Sequence, residues 1–130
     1  MRYRFPIFCL VFLWGAPLFA DPALAPVVSP AEVEIQHLLE LMENSSCQFF
    51  RNGKVYTGAK ASQHVRRKYD YFKDKIKTAE DFVRYSATKS EWTGKVYTVR
   101  CAAKEPRPLS DWLLEALNRF RAEEEGKREK

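Results

Sequence analysis

A short apolar run near the amino terminus limits what this chain can fold into more than any other feature. Residues 7–14 are apolar, Arg2 and Arg4 precede them, and a small residue, Ala20, follows. This order is typical of a secretory signal peptide. The run is shorter than the roughly 20 residues that span a bilayer, which makes a retained anchor the weaker alternative. We therefore predict that residues 1–20 are removed on export and that the mature chain has no membrane span.

The remaining residues, 21–130, have the size of one domain rather than two. The chain is 45% hydrophobic and 30% charged, a balance that argues against disorder. We predict an extended lead-in over residues 21–28, a single domain over residues 29–120 and a charged, solvated tail over residues 121–130.

The charge of the chain is only mildly basic. The formal net charge is +5, and it falls to +3 in the mature chain because Arg2 and Arg4 are lost and no acidic residue is. Nucleic-acid binders usually cluster their basic residues on one face, whereas here Lys and Arg alternate with Asp and Glu along most of the chain. We therefore do not expect nucleic acid as a partner.

Two cysteines remain once Cys9 is removed with the signal, namely Cys47 and Cys101. Such a pair in an exported domain favours a disulfide, and two unpaired buried thiols are the alternative. A structural zinc site needs four ligands, and the spacings of His37 and His64 match no finger or ribbon pattern. We predict a Cys47–Cys101 disulfide, no metal and no cofactor.

Local signals predict helices on both sides of a small group of strands. Ser29, Pro30 and Glu32 form a capping box with proline at the first helical position. Asn52-Gly53 lies between two short aromatic segments, as in a two-residue hairpin turn. The other predicted elements are a helix over residues 59–76, a helix capped by Thr78, a strand over residues 95–101 and a helix capped by Ser110. This order predicts an α+β fold in which a sheet of about three strands, a hairpin plus one strand, is covered by about four helices.

The alternation of side chains in the strands adds a spatial argument for the disulfide. Tyr97, Val99 and Cys101 share one face of the last predicted strand, and Cys47 shares a face with Phe49 in the first arm of the hairpin. If these two strands pair, both thiols point to the same side, as a bridge between neighbouring strands requires.

The candidate binding residues lie on the long helix and at the hairpin tip. His64, Lys68 and Tyr71 are spaced i, i+4 and i+7, so they form one strip beside the buried face, where Arg51-Asn52 could meet them. In the functional interpretation Arg51 and Lys68 bind a carboxylate or phosphate and His64 hydrogen-bonds it. In the structural interpretation Asn52 is only the turn residue, Lys68 covers apolar surface and His64 satisfies a buried carbonyl.

The sequence favours binding over catalysis. The possible nucleophiles Ser62, Ser86 and Ser90 lie in no Gly-x-Ser-x-Gly or Ser-x-x-Lys motif. We therefore expect a noncatalytic binding or envelope-interaction module whose partner, not identified by the sequence, is an anionic small molecule or an envelope protein. The alternative is a small hydrolase that uses His64 with a nearby serine or carboxylate.

Five motifs in order give the chain a resemblance to a known family. They begin with CQFFRNGKVY at residue 47 and ASQHVRRKY at residue 61. The others are TAEDFV at residue 78, the segment from Ser90 to Tyr97, and DWLL at residue 111. Together they resemble the YfeK-like exported proteins, catalogued as domain of unknown function 5329. The resemblance covers nearly all of the mature chain. It implies a periplasmic protein of Gram-negative bacteria and implies no known activity, cofactor or partner.

Overall fold

The structure, a computed structural model, describes residue 15 and residues 25–130, so the predicted signal peptide falls outside the described residues. The described residues form four α-helices and one small sheet, which confirms the predicted α+β class. The helices are α1 (Pro30–Glu43), α2 (Gly58–Phe72), α3 (Ala79–Ser86) and α4 (Leu109–Arg128). The strands are β1 (Gln48–Arg51), β2 (Lys54–Tyr56), β3 (Thr98–Arg100) and β4 (Arg107–Pro108).

Helix α1 begins as the capping box predicts. The Ser29 side chain accepts a hydrogen bond from the backbone N–H of Glu32 at 3.2 Å, and Pro30 occupies the first helical turn. The apolar face of α1 is buried, and its Leu38 and Met42 side chains are fully inaccessible. This face supplies part of the single core cluster in the described residues, which also includes residues from the other helices and from the sheet.

The hairpin between β1 and β2 is confirmed. Asn52 and Gly53 have positive φ angles of 51° and 78°, as both central positions of a type I′ turn require. The turn fixes the antiparallel register in which Phe50 lies opposite Val55. Strand β1 therefore ends at Arg51 directly before the turn, and this side chain is held at the tip of a rigid hairpin.

The sheet has four strands in the order β2-β1-β3-β4, all antiparallel, rather than the predicted three. The additional strand, β4, is two residues long and contains Pro108 at an edge of the sheet, where proline is tolerated. Strand β3 is shorter than predicted, because Tyr97 donates its backbone N–H to the Thr88 carbonyl and accepts from the Leu109 N–H. These two contacts involve loop and helix residues rather than strand neighbours.

The disulfide between Cys47 and Cys101 is present and joins the chain at the ends of β1 and β3. The two Cα atoms lie 4.4 Å apart, next to the pair formed by Gln48 and Arg100. The predicted alternation is also confirmed, since Phe49 and Val99 are buried on the same side of the sheet.

Helix α2 packs closely on α1 because its first residue is glycine. A Cβ atom on Gly58 would overlap the Met42 carbonyl oxygen and would lie 2.8 Å from that of Ser45. One turn later, the buried Ser62 hydroxyl donates to the Leu39 carbonyl at 2.9 Å. The helix ends at Phe72 and continues as a 3₁₀ turn over Lys73–Lys75, so it is shorter than the predicted 59–76.

Helix α4 differs from the prediction at both ends. It begins at Leu109, preceded by Pro108 rather than capped by Ser110, because the Leu109 N–H already bonds to Tyr97. It continues to Arg128 through the segment predicted as a charged tail. Arg121 holds this extension against the rest of the fold through ion pairs to Glu34 of α1 and Glu80 of α3.

Candidate functional site

An open concavity of about 550 Å³ lies between α2, the hairpin tip and the loop that joins α3 to β3. We call it the basic concavity, because three of its side chains are cationic and one is acidic. It is defined by Arg51, His64, Arg67, Lys68, Tyr71, Glu91, Trp92 and Tyr97.

The predicted strip on α2 forms one wall of the basic concavity. His64, Lys68 and Tyr71 all line it, and Arg51 reaches them from the hairpin tip. The guanidinium Nη1 of Arg51 lies 3.3 Å from Nδ1 of His64. The structure thus brings four of the five predicted residues around one space, and the fifth, Asn52, lies beside it.

His64 is half-buried between cations. Its Nε2 lies 3.2 Å from the Tyr97 hydroxyl, and its Nδ1 faces Arg51. Burial and, in decreasing order of effect, the positive charges of Arg51, Lys68 and Arg67 together lower the pKa of His64 to about 4. The imidazole is therefore neutral at pH 7, and in the matching tautomer Nδ1 accepts from Arg51 while Nε2–H donates to Tyr97.

Lys68 is a largely enclosed cation, with 11% of its side chain exposed. Its ammonium donates to the Lys89 carbonyl at 2.7 Å, to the Tyr97 hydroxyl at 3.4 Å and to a Glu91 oxygen at 3.5 Å. Burial lowers the pKa of Lys68, and Glu91 opposes this effect. The predicted apolar covering role does not describe this lysine, because its charged head is held inside the concavity.

Arg51 has only neutral partners. Its Nη2 donates to the Tyr56 hydroxyl at 3.1 Å, and its guanidinium carbon lies 5.0 Å from the centre of the Tyr56 ring. Within residues 25–130, no carboxylate lies within 4.0 Å of Arg51. The half-buried guanidinium at the edge of the open concavity is thus not paired with an acidic side chain of the described chain.

Asn52 is more than a turn residue. Its side-chain amide donates to the Ser90 hydroxyl at 3.4 Å, and its oxygen accepts from the Thr93 hydroxyl at 2.7 Å. These bonds tie the hairpin tip to the loop that carries Glu91 and Trp92. Asn52 therefore positions one wall of the concavity from outside it.

The serines considered as nucleophiles have other partners or none. Ser90 is bonded to Asn52 and to the Thr93 N–H, and Ser62 is bonded to a carbonyl of α1. The Ser86 hydroxyl is fully buried without a hydrogen-bond partner. In the part of the chain described, His64 makes no hydrogen bond to a serine or a carboxylate.

Comparison with known proteins assigns the chain to a family. The model of a family of unknown function, DUF5329, matches residues 29–121. The chain belongs to this family. An uncharacterized protein named YfeK from Salmonella typhimurium strain LT2 is 35% identical over 83 residues, which are 63% of this chain and 69% of that protein. No solved structure matches the chain.

The part of the chain that matches the DUF5329 family includes every residue of the basic concavity. The family resemblance noted in the sequence is thus confirmed, and it carries no activity with it, because neither the family nor the Salmonella protein has an assigned function.

Sequence reasoning missed several residues of the site. Arg67 carries a readable signal, because it lies at i+3 from His64 on the same helical strip. The strand alternation places Tyr97 on one face with Val99 and Cys101, and its side chain is buried there while its hydroxyl reaches Lys68 and His64. Glu91 and Trp92 carry no local signal, since only the folding of the loop brings them opposite α2.

The described residues offer neither a cluster of metal ligands nor a membrane-spanning helix. Among residues 25–130, no three side chains of His, Cys, Asp or Glu gather where they could hold a metal ion. Over the same residues, no helix is both long and apolar enough to cross a bilayer.

Proposed function

We propose that this protein is an exported, noncatalytic binding module of the cell envelope that takes an anionic group into the basic concavity. The observation that carries the proposal is Arg51, a half-buried guanidinium that faces the concavity with no carboxylate partner in the described chain. A charge in that position is stabilised when an anion binds it, and a guanidinium suits carboxylate and phosphate oxygens in particular.

The charges around Arg51 support an anionic ligand. Arg67 and Lys68 line the same concavity, Glu91 is the one acidic side chain among its described residues, and His64 adds no charge at neutral pH. An anion that enters meets donors that the fold already holds in place. Binding at such a site costs little ordering of side chains.

Export to the periplasm is supported by two independent features of the chain. The amino-terminal segment has the order of a signal peptide, and the Cys47–Cys101 disulfide suits an oxidising compartment. We expect the mature protein to begin at Asp21. Intact-mass measurement of protein recovered from the periplasmic fraction tests this, and a mass that retains residues 1–20 contradicts it.

The contacts of His64 favour binding over hydrolysis. A general base needs its reactive partner within hydrogen-bond reach, and both ring nitrogens of His64 face Arg51 or Tyr97 instead. Among residues 25–130, no serine or carboxylate contacts His64 to support the hydrolase alternative.

The proposal is tested by titrating the purified mature protein with inorganic phosphate and with acetate, followed by NMR shifts of the side chains. We expect saturable shifts at Arg51, Lys68 and His64. Arg51→Met should weaken binding about tenfold, since hydrogen bonds to charged groups contribute about 1.5–3 kcal/mol.

Arg100→Met is the matched control. Arg100 is also a half-exposed strand arginine, with its guanidinium carbon 5.4 Å from the Phe50 ring centre and its nitrogens bonded to Gln48, but it lies outside the concavity. Equal losses in both variants, or no saturable shifts in the native protein, would overturn the proposal.

A further inference from the structure

The carboxylate of Glu91 already occupies part of the basic concavity. It comes from the loop between α3 and β3 and reaches the Lys68 ammonium at 3.5 Å. Its side chain is 54% exposed, whereas that of Lys68 is 11% exposed. Glu91 is thus the mobile member of this pair, with room to turn outwards into solvent.

Lys68 keeps two of its three acceptors whatever Glu91 does. The Lys89 carbonyl and the buried Tyr97 hydroxyl are fixed by the backbone and by the core. The third donor of the ammonium is used only by Glu91, at the longest of the three distances. The third donor of Lys68 therefore points to a position suited to a carboxylate oxygen. In this structure the Glu91 carboxylate occupies that position.

Two exposed aromatic side chains line the same space. Trp92 is 97% exposed and follows Glu91 directly, and Tyr71 is 82% exposed on α2. Tyr71 lies three residues after Lys68 on the same helical strip, whereas Trp92 comes from the loop, so only the tertiary fold brings both aromatic side chains to one space. Large rigid aromatic side chains provide contact area at low entropy cost, and apolar surface next to a few placed polar groups is typical of small-molecule sites.

We propose that the ligand is a carboxylate carried by a ring with a face that can stack on an aromatic side chain; its carboxylate displaces Glu91 from Lys68 while the ring lies against Trp92. The proposal rests on the proposed function and adds the class of ligand. The ring is that of an aromatic acid or of a sugar acid, and the two share the same chemistry at Lys68. Glu91 holds the carboxylate position until the ligand arrives.

The test compares four probes by NMR titration at low salt: acetate, inorganic phosphate, indole-3-acetate and glucuronate. In the native protein, we expect at least one of the two ring acids to bind about tenfold more tightly than acetate. The preferred ring acid tells an aromatic ligand from a sugar.

Glu91→Gln should tighten the binding of acetate and of the preferred ring acid about threefold or more, because the internal carboxylate is removed and the shape is kept. Glu115→Gln is the matched control, since Glu115 is equally exposed and paired with Arg107 on another face. Trp92→Leu should reduce the affinity of the ring acid to that of acetate and leave acetate unchanged.

The results separate a failure of the ligand class proposed here from a failure of the proposed anion-binding function. If phosphate and acetate bind but Glu91→Gln binds no more tightly than the native protein, Glu91 is not an internal occupant. If neither ring acid binds more tightly than acetate, the ligand does not gain affinity from a ring stacked on Trp92. Either result overturns this inference and leaves the proposed function intact. If no probe binds the native protein or Glu91→Gln, both proposals fail.

Discussion

Arg121 and Arg51 both join distant parts of the chain, but their charges are balanced in opposite ways. Arg121 on α4 pairs with Glu34 and Glu80, so it links three helices and its charge is neutralised within the protein. Arg51 on β1 instead contacts the Tyr56 hydroxyl and His64, whose lowered pKa leaves it neutral at pH 7.

This difference distinguishes Arg121, which stabilises the packing of the helices, from Arg51, which lines the candidate site. The carboxylates around Arg121 raise its pKa and it lowers that of Glu80, as expected when opposite charges favour each other's ionised form. The charge of Arg51 instead lowers the pKa of its neighbour His64. Arg51 disfavours the protonation of its own neighbour and has no acidic partner in the described chain, and these are the properties from which the proposed anion site is argued.

Loss of the disulfide should have the largest effect on stability and should leave the anion affinity of the basic concavity unchanged. Cys47 and Cys101 are 54 residues apart, and a loop of that length predicts a loss of about 4 kcal/mol in the free energy of unfolding for the double variant C47A/C101A. Urea denaturation measures this loss. Phosphate affinity at 10 °C, below the unfolding transition, should stay within twofold of the native value, and a larger change would mean that the disulfide also shapes the site.

Arg121→Met should lower the free energy of unfolding by about 2 kcal/mol, because it leaves the mostly buried Glu34 without its partner. Arg119→Met, an exposed neighbour on α4 without an ion pair in the described chain, should change it by less than about 0.5 kcal/mol. Phosphate affinity should be the same in both variants. A fall in affinity with Arg121→Met alone would break the separation of scaffold from site.

Arg51→Met should change stability by less than about 1 kcal/mol and should act on His64 instead. The folded pKa of His64, about 4, lies below the ordinary 6.5, so the unfolded chain binds a proton first and the fold loses stability as the pH falls from 6.5 to about 4. Removing one of the nearby charges should raise the His64 pKa and shrink this loss.

An NMR titration of the His64 ring measures this pKa, and Arg121→Met should leave it unchanged. A His64 pKa that does not rise in Arg51→Met would show that the charge of Arg51 does not lower it, and would contradict the electrostatic contrast drawn between Arg51 and Arg121.

Asn52→Gly should have the smallest effect on stability, a few tenths of a kcal/mol, because glycine keeps the positive φ that the turn needs. It removes the bonds to Ser90 and Thr93, so we expect faster amide exchange in the loop of Glu91 and Trp92. Thr93→Val, which leaves the turn untouched, should produce the same loosening. Native exchange rates in both variants would show that the bonds of Asn52 to Ser90 and Thr93 do not hold the loop of Glu91 and Trp92 in place.

Short-range chemistry let the sequence determine much of this fold. The cap at Ser29, the turn at Asn52-Gly53 and the strip of His64 and Lys68 each depend on residues within a few positions of one another. The disulfide was predictable because only two cysteines follow the predicted signal peptide and strand alternation places them on one side. These features could be predicted because backbone geometry fixes them locally.

The tertiary structure alone decided which residues face the strip. Glu91 lies 23 positions from the Lys68 that it contacts, and Tyr97 lies 33 positions from His64. The same reason explains the long α4, since its charged end is held by Arg121 against Glu34, 87 positions away. No local pattern encodes such contacts, because they exist only after the core has packed and brought the loop opposite the helix.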